Sequence, residues 1–482
     1  VRPRGLPPNA SLEQLKSGAA SFQRAVRAGD SGAWEVVEAF HPDPPEPGTF
    51  KRSDAQLVVA RRFGFRSWPK LREYFETAAR YTRSPAEDPV GPEANTDRFL
   101  RLACLNYGND SPERRHEAAA MLDADPELAR ASIHTAAAAG DAEAAAQFLP
   151  AGANERGGPH DWAPLLYLTY SRLERGDPPA VARMLLDAGA DPNAGYMWEG
   201  LTPPFTALTG AFGGGEGDPP PHANELVLAR MLLEAGADPN DGQTLYNRGF
   251  NPGDEWLELL FEFGLGDGAG GPWHRLLGES YETPVEMLSA ELLMAAGHGF
   301  THRVELLLAH GVDPEDRGRH GGHPMHQGRT AIQEALVAGF PTTAEVLRGA
   351  GATSGGDAML WLLAYATDGD RASVDRLLAG DPGLVDRARA AYPEQIARAV
   401  GNSNVEGIGL LIELGFDVNA FARGAPLHEA AAQGDMQLIE LLLAHGADPN
   451  LPDPTYNSTP AGWAEEFGHT EAERYLRALE NG

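Results

Sequence analysis

The stretch Leu441-Leu442-Leu443-Ala444-His445-Gly446-Ala447-Asp448-Pro449-Asn450 decides the fold. Leu438, Leu441 and Leu442 stand at i, i+3 and i+4, which places them on one apolar helix face. Gly446 follows the last turn, where a left-handed backbone costs glycine little. Asp448-Pro449 then stops the helix and opens a turn. The block recurs as Met184 to Asn193 and as Met231 to Asn240, each ending Gly-Ala-Asp-Pro-Asn. Weaker copies run from Leu306 to Pro314, Val346 to Ala352 and Leu410 to Asn419. Self-similarity of this kind is the mark of a repeat array.

A second, shorter helix precedes the block. Gly424-Ala425-Pro426-Leu427-His428-Glu429-Ala430-Ala431-Ala432-Gln433-Gly434-Asp435 reads as a turn, about two helical turns and a glycine stop. Ala131 to Asp141 repeats that design, and its small alanines let paired helices approach closely. This helix–turn–helix unit, with its T-P-L-H-x-A-like and G-A-D-P-N signatures, resembles the ankyrin repeat. The likeness covers roughly residues 98–482 and is tightest at 424–450; Ala425 stands where the family has Thr, and Ser132 where it has Pro. The resemblance implies an all-α solenoid of stacked units. It also implies that His134 and His428 hydrogen-bond within the turn and brace the loop.

Residues 1–81 differ from the array. Asp54 to Leu71 reads as two short helices around Gly64, similar to the leader found before bacterial ankyrin arrays, and the expected role is a cap over the apolar face of the first repeat. Residues 82–97, with Pro85, Pro89 and Pro92, read as a linker. The array then divides into degenerate repeats at 98–160, repeats with long insertions at 161–330 and more regular repeats at 331–482. The extra sequence falls near 194–224, 240–254, 266–284 and 314–328, and a degenerate helix, Trp256 to Gly264, fills part of one gap.

Composition narrows the function classes. A one-dimensional array explains how 482 residues fold without exceeding the size of a single core. A net charge of −30 repels phosphate backbones, so nucleic acid is not an expected partner. The most basic region, Arg61, Arg62, Arg66, Lys70 and Arg72, is diluted by Glu73 and Glu76 and reads as a solvated helix face. Only three of 39 basic residues are Lys, which with abundant Ala, Gly and Pro points to a high-GC, actinobacterial-type genome. The single cysteine, Cys104, excludes an internal disulfide and reads as a small buried residue. No run reaches the ~18 apolar residues of a membrane helix, and Pro7, Pro8 and Asn9 stand where a signal peptide would be apolar. A cytoplasmic monomer without membrane contact is expected.

Three constellations are candidates for chemistry. His320, His323 and His326 lie in Arg319-His-Gly-Gly-His-Pro-Met-His, with His298, His302 and His310 before them and Asp313, Glu315 and Asp316 near. Imidazoles so spaced can bind a divalent transition metal, although the Gly- and Pro-rich loop would lose much entropy on ordering. No other cofactor is expected. The run Gly200 to Asp218 contains Gly213-Gly214-Gly215 but lacks the lysine of a phosphate loop, and the glycines read as a flexible extension after the short helix. Aromatics concentrate at 160–280: Trp162, Tyr167, Tyr170, Tyr196, Trp198, Phe205, Tyr246, Trp256 and Trp273. Such rings line pockets and interface hot spots, or form a small core that anchors long loops. Glu216, His222, Asn247, Arg248, His274 and His302 are the candidate polar groups beside them.

Two function classes remain. The first is a binding protein that recognises a protein partner or ligand through its concave groove and the inserted loops of 160–330. The alternative is an enzyme, or a small-molecule-binding protein, with its site grafted onto the central repeats, of unassigned reaction and with bacterial secondary metabolism as its setting. The absence of a triad or paired-carboxylate motif favours the first; the consecutive insertions favour the second.

Overall fold

The computed structural model describes residue 6 and residues 10–86, 91–108, 110–215, 217–318 and 328–480. They are predominantly helical, and they separate into two compact units, Val1–Leu288 and Ser289–Gly482.

The first unit opens with helices Leu12–Arg27, Ser31–Phe40 and Arg52–Arg62. Ser11 and Gln14 form a capping box at the first of these, and Asp30 caps the second. Ala19, Val26, Val37, Phe40, Phe50, Ala55 and Val58 make a core of their own. Helix Trp68–Tyr81 follows the turn at Gly64, which has φ 87°. Its partners are strand Gly195–Trp198 and helix Pro272–Leu277, far along the chain. The leader therefore docks onto the inserted sequence.

The repeats of this unit are pairs of short helices. First helices Ile133–Ala139, Pro164–Tyr170, Ala207–Phe212 and Gly242–Gly249 pack one on the next. Second helices Ala142–Ala146, Pro178–Asp187, Glu225–Glu234 and Glu255–Glu262 do the same alongside them. Two first helices thus lie inside stretches that read as insertions. Thr206 starts one with a capping box to Thr209, and Asp241 caps the other through Thr244. A small sheet departs from the all-helical expectation. Thr82–Arg83 pairs in parallel with Gly195–Trp198, which pairs antiparallel with Phe205–Thr206.

The second unit repeats the design. First helices Ala331–Ala338, Ala358–Asp368, Gln395–Gly401, Pro426–Gln433 and Pro460–Glu466 stack in order. An additional helix, Leu384–Ala391, packs against Ala358–Asp368 and breaks the two-helix pattern there. Gly434 ends its helix at φ 67°, and Gly446 turns the chain at φ 91°, as the block requires.

At three junctions an Asn of the turn, Asn154, Asn193 or Asn419, ties neighbouring repeats together. Asn419 Nδ2 donates to Gly446 O at 3.1 Å, and Asn419 Oδ1 accepts from Asp448 N at 2.9 Å. Asn193 does the same to Gly236 O (2.9 Å) and Asp238 N (2.9 Å), and Asn154 to Gly189 O (2.7 Å) and Asp191 N (2.8 Å). The turn histidines also reach onward rather than within their own turn. His134 Nε2 meets Glu155 O at 2.8 Å, and His428 Nε2 meets Ser458 O at 3.1 Å. Replacing Asn419 with Ala removes two cross-repeat hydrogen bonds and should lower stability by about 1–2 kcal/mol in urea unfolding. A loss below ~0.3 kcal/mol would show the ladder to be incidental.

Candidate functional site

The inserted stretches of the first unit converge on an aromatic core. Trp162 lies 5.0 Å from Tyr170, 5.0 Å from Tyr196 and 5.3 Å from Tyr167, measured between ring centroids. Tyr196 stacks on Phe205 at 5.5 Å, and Trp198 packs on Phe205 at 5.6 Å. Tyr107 closes the cluster, edge-on to Phe205, Trp198 and Tyr170. Trp162, Tyr167, Tyr170 and Tyr196 are all at most 1% exposed, so no ligand reaches their faces without the loops opening. Burial raises the phenols of Tyr107, Tyr167, Tyr170 and Tyr196 well above their usual value. Cys104 lies beneath Tyr167, donates to its carbonyl at 3.6 Å, and is pushed up to about 12 by burial, so it is an inert thiol.

Polar side chains lock the loops onto this core. Arg172 is buried and donates to four carbonyls, of Pro220 (2.7 Å), Gly210 (2.8 Å), Thr169 (3.0 Å) and Ser171 (3.0 Å). His222 accepts from Asn224 N at 2.9 Å and is held down to about 3 by burial and the nearby Arg172, so it stays neutral. Asn247 donates to Tyr107 Oη at 3.0 Å and accepts from Gln243 Nε2 at 2.8 Å. Its carbonyl accepts from Gly215 N at 2.8 Å, while Gly214 N donates to Pro219 O at 2.9 Å. Gly213 to Gly215 are therefore buried and bonded, not a flexible extension. Their positive φ values and the nearness of Pro220 and Asn247 leave no room for a side chain. Arg248 donates to Phe212 O at 3.3 Å, and Tyr246 packs edge-on to Phe250.

A second cluster adjoins the core. Trp273 donates to Asn193 O at 3.0 Å, and Gly271 N donates to Asp238 Oδ2 at 2.6 Å. His274 places Nδ1 3.2 Å from Asp238 Oδ2 and its ring 4.4 Å from Tyr281. Burial would raise Asp238, but His274, Asn240 and Gly271 outweigh it and hold the carboxyl below its usual value. Asp241 is 4% exposed and accepts from Thr206 Oγ1, Thr209 Oγ1 (3.3 Å) and Thr244 N (3.0 Å). Burial raises it to about 6 against the pull of those neutral donors. Between Asp238, Asp241, Asn193, Asn240, Thr206 and Tyr281 lies a cavity of about 10 Å³, room for one water and no substrate. Larger open hollows, of about 570 and 490 Å³, lie instead along Asp123, Gly140 and Arg175, crossed by an Arg175–Asp123 pair at 3.1 Å.

Tyr167, Tyr170, Trp198, Phe205, His222, Asn247 and Arg248 are thus gathered around one core, with Trp273 and His274 beside it. His302 is exposed on helix Thr301–Ala309 of the other unit. Glu216, and His320, His323 and His326, lie outside the described residues. Among the described residues, no group of three or more His, Cys, Asp or Glu is placed to hold a metal ion, and no helix is long and apolar enough to cross a membrane. In the basic leader, Lys70 pairs with Glu73 (2.6 Å), Arg72 with Glu76 (3.4 Å) and Arg66 with Glu279 (3.0 Å). Asp241 escaped the sequence reading. Its one signal is an acid directly after the block's Asn240, where the other close copies have Ala194 and Leu451.

Stacked helix pairs joined by Gly-Ala-Asp-Pro-Asn turns define a repeat protein, and known proteins say which kind. The ankyrin-repeat model matches residues 425–454. Over 117 residues the chain is 30% identical to cyclin-dependent kinase 4 inhibitor B of Bos taurus, covering 17% of this chain and 89% of that protein. Over 87 residues it is 40% identical to the ARF GTPase-activating protein GIT1 of Homo sapiens, covering 17% of this chain but only 11% of that one. A similar short match, 38% over 82 residues, is to potassium channel AKT1 of Oryza sativa subsp. indica, covering 17% of this chain and 9% of the channel. The chain belongs to the ankyrin-repeat family.

The buried carboxylate gives a pH test. With a folded value near 6 and an unfolded value near 4, Asp241 binds more protons folded than unfolded between those limits. Its contribution to the stability of the first unit therefore grows as pH falls from ~6 to ~4, by on the order of 2 kcal/mol. Asp241→Asn should flatten that slope relative to the wild type in unfolding measured from pH 7 to pH 4. Identical pH profiles would contradict the assignment.

Proposed function

We propose that the protein is a non-catalytic ankyrin scaffold that recognises a protein partner. In this reading the stacked helices form a solenoid, and the groove along its first helices, with the inserted segments of the first unit, is the recognition surface. The carrying observation is that the insertions are filled by their own aromatic core, leaving about 10 Å³ where the polar groups converge. Loops so packed cannot close around a substrate, but they present a rigid surface, which lowers the entropic cost of binding. The short matches to a kinase inhibitor and a GTPase-activating protein support an interaction role. The partner's chemistry should be neutral to cationic, given the net charge of −30. Cytoplasmic location and a monomeric chain of bacterial origin complete the reading.

The enzyme reading keeps one observation in its favour. Asp241 at about 6 and the Asp238–His274 pair are groups of the kind used in acid–base catalysis. Their enclosure argues that they serve the fold.

Affinity purification on the whole chain tests the proposal, with Leu201→Asp as comparison, since Leu201 is an exposed apolar residue on the inserted segment. A partner protein retained by the wild type should be bound at least about tenfold more weakly by the variant. Retention of no protein, or retention untouched by the substitution, contradicts this choice of surface.

A further inference from the structure

Where the leader ends, the chain binds a piece of itself. Tyr81 sets its ring edge-on to Trp273 at a centroid distance of 5.0 Å. Thr82 and Arg83 then pair in parallel with Met197 and Trp198. Arg83 O accepts from Glu199 N at 3.0 Å, and Arg83 Nη2 meets Asp161 Oδ2 at 2.6 Å. Gly200 allows the close approach; a Cβ there would lie 3.1 Å from Thr82 Oγ1.

The seat for Arg83 is built at a backbone cost. Asp161 and Glu199 both adopt φ 49°, a left-handed conformation that residues with side chains rarely take. Each touches Arg83, one through its carboxylate and one through its amide. Strain held in place at a contact point is a feature of ligand clamps. The strand seated there is short. Two residues pair, and the Asp161 carboxylate is 57% exposed, so its ion pair is screened and contributes little. Helix Trp68–Tyr81 is anchored separately, by buried Leu71, Tyr74 and Ala78 and by Tyr74 Oη donating to Gly200 O at 2.8 Å. Residues 81–83 lie between these anchors and buried Pro85, and can therefore leave by fraying of the last helical residue while Leu71, Tyr74 and Ala78 stay anchored.

We propose that the edge of strand Gly195–Trp198 is a docking site for an extended segment of a partner protein, and that Tyr81-Thr82-Arg83 occupies it in the free chain. The occupant is defined by the template on the page: an aromatic residue for Trp273, a hydroxyl-bearing residue beside Gly200, and an arginine for Asp161. Recognition is by strand addition, with main-chain hydrogen bonds giving affinity and the Trp273 and Asp161 contacts giving sequence preference. The cis segment acts as a competitor and lowers the apparent affinity in proportion to its occupancy. This deepens the protein-interaction reading and rests on it.

The probe is a fluorescent peptide with the sequence of residues 78–84, titrated by anisotropy into the full-length wild type and the full-length Arg83→Ala variant. The variant should bind the peptide about two- to fivefold more tightly than the wild type, because loss of the Arg83 contacts lowers the occupancy of the seat. A peptide with Ala in place of its arginine should lose that gain. Unchanged circular dichroism and urea midpoint certify that this substitution of a half-buried side chain leaves the unit folded. Equal binding to both chains, or no binding to the folded variant, overturns the proposal. Affinity purification on the whole chain can fail while this titration succeeds, and the reverse, so the two readings are separable.

Discussion

The side chain of a turn asparagine, repeated at Asn154, Asn193 and Asn419, is the constraint on which the regular stacking depends. Its amide spans two backbone groups of the next turn, a glycine carbonyl and an aspartate N–H. Both groups sit at a helix end, where intrahelical partners run out. The bridge satisfies them and fixes the spacing of neighbouring turns at once. First helices then stack on first helices and second on second, each unit burying the apolar face of its neighbour. No single pair has enough core to stand alone. The histidines at 134 and 428 add a second tie from helix to following loop.

That regular frame lets irregular sequence be held. The stretches at 194–224 and 240–281 are longer than a turn needs, and their length is absorbed by packing. Seven rings fill the space beneath them, and Arg172 spends its donors on four carbonyls. Two buried carboxylates show the same logic with opposite outcomes. Burial raises Asp453, yet N–H donors from Thr455, Tyr456, Ser458 and Trp463 hold it at about 2, a charged clamp for its turn. Asp241 has one such amide and two hydroxyls, and its value rises to about 6. The balance between depth of burial and committed donors decides which way an acid goes.

How much of this is legible in the sequence follows range and length. The helices around 133–139 and 426–444 are plain, because caps, apolar period and glycine stops agree locally. Ala207–Phe212 is six residues with Thr209 and Gly210 inside it, too short for a period to mark its bounds. The pairing of Thr82 with Met197 joins positions with no shared pattern, and nothing in the leader announces its target. The aromatic cluster was visible as a composition, but rings that line a pocket and rings that fill a core are the same residues. Only their burial separates the two.

Amide hydrogen exchange on the intact protein is the most direct test that the insertions are packed structure. The N–H groups of Thr209, Gly215 and Thr244 are each hydrogen-bonded within that structure. They should exchange with protection of the same order as helix Pro164–Tyr170, opening only with the unit. Exchange at free-peptide rates, within seconds, would show the insertions to be open loops and would contradict the account.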